Sequence, residues 1–313
     1  MAKPKTVKLT GGDRLFYIGV NAFLIIVGLL IAIPMIATIT QSITPNGFRG
    51  STFDKFILRP FAEVSTHVDG KVVTETQFVW DSSAYKSLLG NNGFLLAFWN
   101  SIKIMAFGVI TALSLTIPMS YCMSVHDLPG RKILNYFVLI PYLFNIGVIP
   151  TYLVVTNLHL TNHLASVFIP GAIGTYNCLI MRGFFEGIPE SLKESARIDG
   201  AAEWYVLVSI ILPLSKPIIM TIGLYYAVGF WNDFMHPLLY LNVSSLQPLP
   251  ILLRNILLGA NMNENLDSNA FGDASVAAIK AASVFMSAIP MIIAYPFIQK
   301  YFTKGTMLGS VKG

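Results

Sequence analysis

Six long apolar runs limit this chain more than any other feature of its sequence. A helix that crosses roughly 30 Å of hydrocarbon needs about 20 mostly apolar residues. Runs of that kind extend over Leu15–Ile39, Phe94–Met123, Ile133–Val155, Leu164–Ile180, Pro217–Tyr240 and Val276–Ile298. Pro34, Pro118, Pro141, Pro170 and Pro290 interrupt them. Proline is tolerated in membrane helices because neighbouring groups satisfy the freed carbonyls. Only 12% of the residues are charged and 54% are apolar, where a soluble domain carries about 25% charge. The expected fold is therefore an all-α polytopic bundle of six transmembrane helices.

Lysine and arginine in the connections set the orientation of such a bundle. Lys3, Lys5, Lys8 and Arg14 precede the first run, and Arg131, Lys132, Arg182, Lys193, Arg197 and Lys216 fall in later connections on the same side. The short connection Thr156–His163 has neither lysine nor arginine. Both termini are expected to face the cytoplasm. The first run follows basic residues as a secretory signal does, but it is longer than a signal core and no A-x-A site follows, so it reads as an uncleaved first helix. The net charge of +5 is spread between apolar runs rather than gathered in a patch, so topology accounts for it and nucleic acid is not an expected partner. The expected organisation is a cytoplasmic segment 1–14, a six-helix domain 15–300 and a cytoplasmic tail 301–313. Two connections stand out. The outer segment 42–93 is too long for a turn, and Val72–Trp80 within it is rich in β-formers that suit a strand or half of a hairpin. The cytoplasmic segment 186–213 is amphipathic and carries Glu190, Lys193, Glu194, Arg197, Asp199 and Glu203.

The second connection is the more informative. Pro189 suits the first turn of a short helix. Gly200 can adopt a left-handed turn without a Cβ clash, and a second short helix is expected over Ala201–Val208, with Pro213 and Pro217 setting the entry to the fifth span. Two short helices meeting at a bend form a knob that suits docking in a groove of another protein; an ordinary interfacial amphipathic linker fits the residues equally well. The same stretch resembles the EAA motif of importer-type ABC transporter permeases. Glu194, Ala196, Gly200, Ile210, Leu212 and Pro213 match at the family spacing, and Ser195 replaces the usual alanine with another small residue. The Trp231-Asn232-Asp233-Phe234 run and the tail from Gln299 resemble the carbohydrate, maltose-permease-like branch. The resemblance implies a bacterial cell-membrane protein that imports a sugar or oligosaccharide. It implies a second homologous permease, two cytoplasmic ATPase subunits and an extracytoplasmic solute-binding lipoprotein as partners. It also implies coupling to the ATPases through Glu194, Ser195, Ala196, Asp199, Gly200, Ala201, Leu212 and Pro213. ATP and Mg would be used by the partner ATPase, with no cofactor bound by this chain.

Enzymatic chemistry finds no support. There is no G-x-x-x-x-G-K-[ST] phosphate loop and no H-E-x-x-H. His159 and His163 have helical spacing but no nearby carboxylate, and Cys122 and Cys178 sit in apolar runs as small hydrophobes. No metal site is expected. Polar residues inside spans are costly and either functional or engaged in helix contacts. Asn145, Tyr176, Asn177, Asn232 and Asp233 are candidates to line a sugar pathway, whereas Asn100, Lys103 and Lys280 read as anchors near span ends. Helical spacing prevents Trp231, Asn232 and Asp233 from sharing one face, and Trp231 is expected to pack against a neighbouring helix. The competing class is a secondary transporter driven by an ion gradient, for which Asp233 would be the only mid-membrane carboxylate.

Overall fold

A computed structural model describes residues 11–44, 61–68, 71–78, 80–144, 146–262 and 275–309. They fall into two compact units, Met1–Gly90 with Asn263–Met286 and Asn91–Met262 with Ser287–Gly313. The first unit opens with α1 (Gly11–Ser42), and no part of its most apolar window is buried within the chain. So much exposed leucine, isoleucine and phenylalanine needs lipid or a partner around it. After α1 come strands β1 (Phe61–Val68) and β2 (Lys71–Phe78), paired antiparallel from Phe61 opposite Phe78 to Val68 opposite Lys71. The strand anticipated at Val72–Trp80 is thus half of a hairpin, shifted by one or two residues. Helix α2 (Ser83–Gly90) follows, capped by Asp81, whose carboxylate accepts from the Ser83 N–H at 2.8 Å.

The second unit is built around α3 (Asn92–Ser124). Asn91 caps it by accepting from the Phe94 N–H at 3.0 Å. Ala97, Ser101, Ile104, Gly108, Ala112, Thr116 and Ser120 form its buried stripe at three- and four-residue intervals. Most are small, so neighbouring backbones come close. A Cβ on Gly108 would lie 2.7 Å from the Phe230 ring and 3.1 Å from Phe168 Cβ. The opposite face exposes Trp99, Phe107 and Ile110. Against α3 pack α7 (Thr175–Glu186) and α11 (Lys216–Asn232), with α4 (Arg131–Leu143) beside α7. A hydrophobic core joins Ala112 and Tyr121 of α3, Met181 and Phe185 of α7, Ile222 and Tyr226 of α11, and Val206, Leu207 and Ile211 from the connection between α7 and α11.

Among the described residues three helical stretches are long and apolar enough to span a membrane, Gly12–Ser42, Asn92–Ser124 and Val276–Pro296, and up to five if two bent helix pairs each count once. The first, second and sixth anticipated spans are these three. The third is divided into α4 and α5 (Val148–Asn157). The fourth is not one helix: α6 (Ala165–Phe168) stops before Pro170, and α7 begins only at Thr175. Pro170 lacks an N–H and disfavours helix in the residue before it, while Gly171 and Gly174 weaken the remainder. The fifth ends at Asn232 and resumes as α12 (Met235–Tyr240). The last helices are α13 (Leu249–Met262) and α14 (Val276–Gly309), the latter carrying helix into the anticipated tail. Among the described residues the regular secondary structure is thus helical apart from one hairpin.

Candidate functional site

The connection between α7 and α11 is a bend fixed by its own backbone. Helix α8 (Glu190–Ile198) starts after Pro189 and ends at Asp199. Gly200 then has φ +81°, a left-handed conformation that L side chains rarely adopt. The Gly200 N–H donates to the Arg197 carbonyl at 3.0 Å, and the Ala201 N–H donates to the Ala196 carbonyl at 2.9 Å. This pair of bonds is the Schellman closure of a helix end. Its usual apolar contact is available here because Ala196 and Ala201 both pack against the core. The Ala-x-x-x-Gly-Ala spacing therefore has a direct physical reason.

Ala202 is extended, so the second helix starts at α9 (Glu203–Tyr205), two residues later than the sequence led us to expect. It passes into a π-helical turn, Val206–Ile211, and then α10 (Leu212–Leu214). The ring of Pro213 would crowd the carbonyl four residues earlier in an α-helix and has no N–H to offer it; the wider π turn fits that demand. At Ser215 the segment Glu203–Leu214 meets α11 at 84°. The inner face of the bend, Val206, Leu207 and Ile211, is buried, so the knob is anchored in the unit's core.

Charged side chains tie the two arms of the bend together. Arg197 donates to Glu203 at 2.6 Å and to Glu190 at 3.1 Å. Lys193, 2% exposed, donates to Glu190 at 2.8 Å. The Tyr121 hydroxyl, at the end of α3, donates to Glu203 at 2.6 Å. The hydrogen bond from Lys193 is the main cause holding the Glu190 carboxyl below its ordinary range, and the one from Arg197 does the same for Glu203. The bond to Glu203 in turn raises the Arg197 guanidinium above its already high value. The Glu194 and Asp199 carboxylates are exposed and make no hydrogen bond or ion pair among the described residues, and Ser195 is exposed beside them. Ser195, Ala196, Asp199, Gly200, Tyr205 and Ser209 line an open groove of about 690 Å³. Leu212 and Pro213 lie on the far arm, at the entry to α11. The arrangement presents a rigid, partly acidic surface with its internal charges already neutralised.

The described pathway candidates fall on two elements, the start of α7 and the end of α11. Asn145 lies outside the described residues. Tyr176 is exposed near the start of α7, with Asn177 half-buried beside it. The Asn232 amide returns to the Val228 carbonyl at 3.0 Å and is exposed. Asp233 caps α12: its carboxylate accepts from the His236 N–H at 3.2 Å and shares a 2.8 Å hydrogen bond with the His236 ring. Trp231 is buried, edge-on to Phe98 of α3, and its indole N–H donates to the Ser287 carbonyl at 3.1 Å. Among the described residues no group of three or more histidine, cysteine, aspartate or glutamate side chains is arranged to hold a metal ion.

A family model described as the binding-protein-dependent transport system inner membrane component matches residues 93–307, which include the bend and α3, α7 and α11. The chain belongs to this family. The permease is 35% identical over 304 residues to the polygalacturonan/rhamnogalacturonan transport system permease protein YtcP of Bacillus subtilis, covering 96% of this chain and 99% of that one. It is 40% identical over 231 residues to protein LplC of the same organism, covering 74% and 78%. Its backbone superposes with TM-score 0.80 and 29% identity on a chain from the crystal structure of a bacterial ABC transporter involved in the import of the acidic polysaccharide alginate, covering 95% of this chain and all of that one. The family's role is that of a transport component rather than an enzyme.

The partners of several residues that shape the permease escaped the sequence reading. Arg197 and Glu203 are charges six apart across a glycine, a separation that helical periodicity does not flag. Tyr226 is buried in α11; its hydroxyl shares a 2.8 Å bond with Thr116 and accepts from the Gly174 N–H at 2.9 Å, joining α11 and α3 to the start of α7. Asn100, read as a span-end anchor, is 2% exposed and donates to the Ser245 and Gln247 carbonyls at 2.9 and 3.4 Å. Its role is to hold the turn before α13.

Proposed function

We propose that this permease is the membrane-spanning subunit of an ATP-driven importer for an oligosaccharide, and that the bend at Gly200 is its docking element for a partner ATPase. The reading is carried by one observation: a helix end closed by backbone bonds leaves Glu194, Ser195 and Asp199 exposed while Arg197, Glu190 and Glu203 satisfy one another. A surface with its own charges internally paired, except on one exposed edge, suits a basic counterpart on another protein. In this reading the chain makes six passes with both termini in the cytoplasm of a bacterial cell. It pairs with a second, homologous permease, sits on two ATPase subunits that bind ATP and Mg, and receives solute from an extracytoplasmic binding lipoprotein. Closure of the ATPases moves the bend as a rigid piece, and its arms pass the movement to α11 through Ser215 and to α3 through the Glu203–Tyr121 bond. Coupling of this kind links two equilibria and needs no catalytic group on the permease. The polygalacturonan/rhamnogalacturonan and alginate importers to which the chain is similar support a polymeric sugar as cargo.

The test is Glu194→Lys in the complex assembled with its ATPase and reconstituted in liposomes. Reversal places a cation where a cation is expected on the partner, a mismatch that costs several kcal/mol at an interface. Membrane insertion should be unchanged and ATP-dependent uptake lost. Wild-type uptake by this variant would sink the docking assignment.

A further inference from the structure

The broken fourth span places irregular backbone at membrane depth. Helix α3 has 33 residues, a length of about 50 Å, and Gly108 stands at its centre. Phe168, the last residue of α6, meets that centre: its Cβ lies 3.1 Å from where a Gly108 Cβ would be. On the other side of the break, the Gly174 N–H donates to the Tyr226 hydroxyl, whose second partner is Thr116. Thr116 follows Gly108 by about 12 Å along the axis, toward the end of α3 that meets the bend through Tyr121. The stretch from Ile169 to Gly174 therefore lies between the middle of α3 and a level about 12 Å from it. Half of a hydrocarbon core is roughly 15 Å thick, so the whole break falls inside it.

Much of the main chain in this stretch is unpaired. The Ala172 N–H donates to the Ile169 carbonyl, and the Gly174 N–H to Tyr226. Among the described residues, the N–H groups of Gly171, Ile173, Thr175 and Tyr176 find no acceptor, and the carbonyls of Pro170, Gly171, Ala172 and Ile173 find no donor. One side of the break is packed, with Ser166, Val167 and Ala172 buried. The other side is open, with Ile169, Pro170, Gly171, Ile173 and Tyr176 exposed. Gly171 has no side chain, so its exposure is exposure of backbone, and a Cβ there would meet no atom within 4 Å. Lipid has no partners to offer such groups. Irregular backbone at membrane depth persists where it is buried in protein or faces water. A protein cover would need a matching donor or acceptor for each unpaired group, whereas water meets all of them without a fixed geometry. We infer that the open side of Ile169–Tyr176 forms part of the wall of the permease's water-filled passage. The inference rests on the membrane-importer reading and gives that reading a located passage wall. Helix α3 then packs behind the wall, and the Gly171 main chain and the Tyr176 ring stand at its wet surface.

The experiment labels thiols in the complete importer, with its second permease, ATPases and binding protein, in liposomes. The probe is a membrane-impermeant quaternary-ammonium methanethiosulfonate. G171C, I173C and Y176C are compared with A112C, whose position is fully buried in the core, all in a C122A/C178A background. Where that background does not assemble, the native pair is kept and its own labelling subtracted. The three break positions should react about tenfold or more faster than A112C, since thiol reactivity follows exposure and thiolate character. Trapping the ATPases with ATP and vanadate should change the three rates by about threefold or more, because a shift between outward and inward openings alters access. The A112C rate should not move. Three positions allow the test to stand if one variant fails to assemble. Rates no faster than that of A112C mean that lipid or protein covers the break; they overturn the wall assignment and leave the import reading standing. Fast rates that ATP and vanadate do not alter put the segment on a wet surface outside an alternating passage, and overturn the assignment as well. A parent complex that hydrolyses ATP without coupling it to uptake of any solute overturns the import reading itself, and this inference with it.

Discussion

Replacing Gly200 isolates a backbone effect from a packing effect. A Cβ added at this position would meet no atom within 4 Å, so space is not the constraint. The constraint is φ +81°, which in an alanine costs roughly 1–2 kcal/mol relative to glycine. Asparagine tolerates the left-handed region better and should cost less. A β-branched valine should cost more, because its stiff side chain fits this region worst. Proline should be the worst of the series. Its φ is locked near −65° and it removes the 3.0 Å bond to the Arg197 carbonyl, together about 3 kcal/mol or more. If the bend transmits ATPase closure, uptake per ATP hydrolysed in the reconstituted complex should fall in the order Gly, Asn, Ala, Val, Pro, with Gly200→Pro near zero. Membrane insertion should stay level across the series, since the residue is exposed and a Cβ there meets no atom within 4 Å. A set of variants with equal coupling, or one in which Gly200→Asn is worse than Gly200→Val, would refute the backbone argument.

The charge network across the bend should weaken in acid. Glu190 and Glu203 have carboxyls held below their ordinary values, so what they contribute is fully present above about pH 4.3 and is lost as pH falls through their lower folded values. Both side chains are about half exposed, at 51% and 53%, so screening limits each to about 1 kcal/mol or less; limited proteolysis of the segment at pH 6 and pH 3.5 should show the difference, and Arg197→Ala should show less of it. Gly108→Leu should lower the thermal midpoint of the detergent-purified permease by an overpacking cost of about 1–3 kcal/mol, because its Cβ would press on Phe230 and Phe168; an unchanged midpoint would mean that α3 and α11 separate easily. Asp233→Ala should reduce uptake while the complex still assembles and hydrolyses ATP. Loss of assembly instead would assign Asp233 to capping α12 alone.

How far the sequence reaches depends on what each feature needs. Long apolar runs identify α1, α3 and α14 because length and hydropathy decide a span locally. The same criterion joined Leu164–Ile180 into one helix, since it does not weigh Pro170 against Gly171 and Gly174, whose effect is on the backbone. The left-handed turn at Gly200 was legible from residue type, because glycine is the residue that adopts it freely. The π turn was not, as it answers a steric demand from Pro213 that propensity does not express. The partners of polar residues were the least legible. Asn100 binds carbonyls about 145 residues away in the chain, and Tyr226 joins three segments distant in sequence. No local pattern encodes those distances. Asp233, anticipated to line a pathway, is met by His236 three residues on, at helical spacing.

The closure at Gly200 separates shape from address. The direction in which the chain leaves α8 is written in two main-chain hydrogen bonds and one torsion angle, and none of the exposed side chains enters that geometry. Positions 194, 195 and 199 can therefore be rewritten without bending the segment differently, as the serine at 195 already illustrates. A designer wishing to send this permease to a different motor would exchange those three surface letters and leave the hinge untouched.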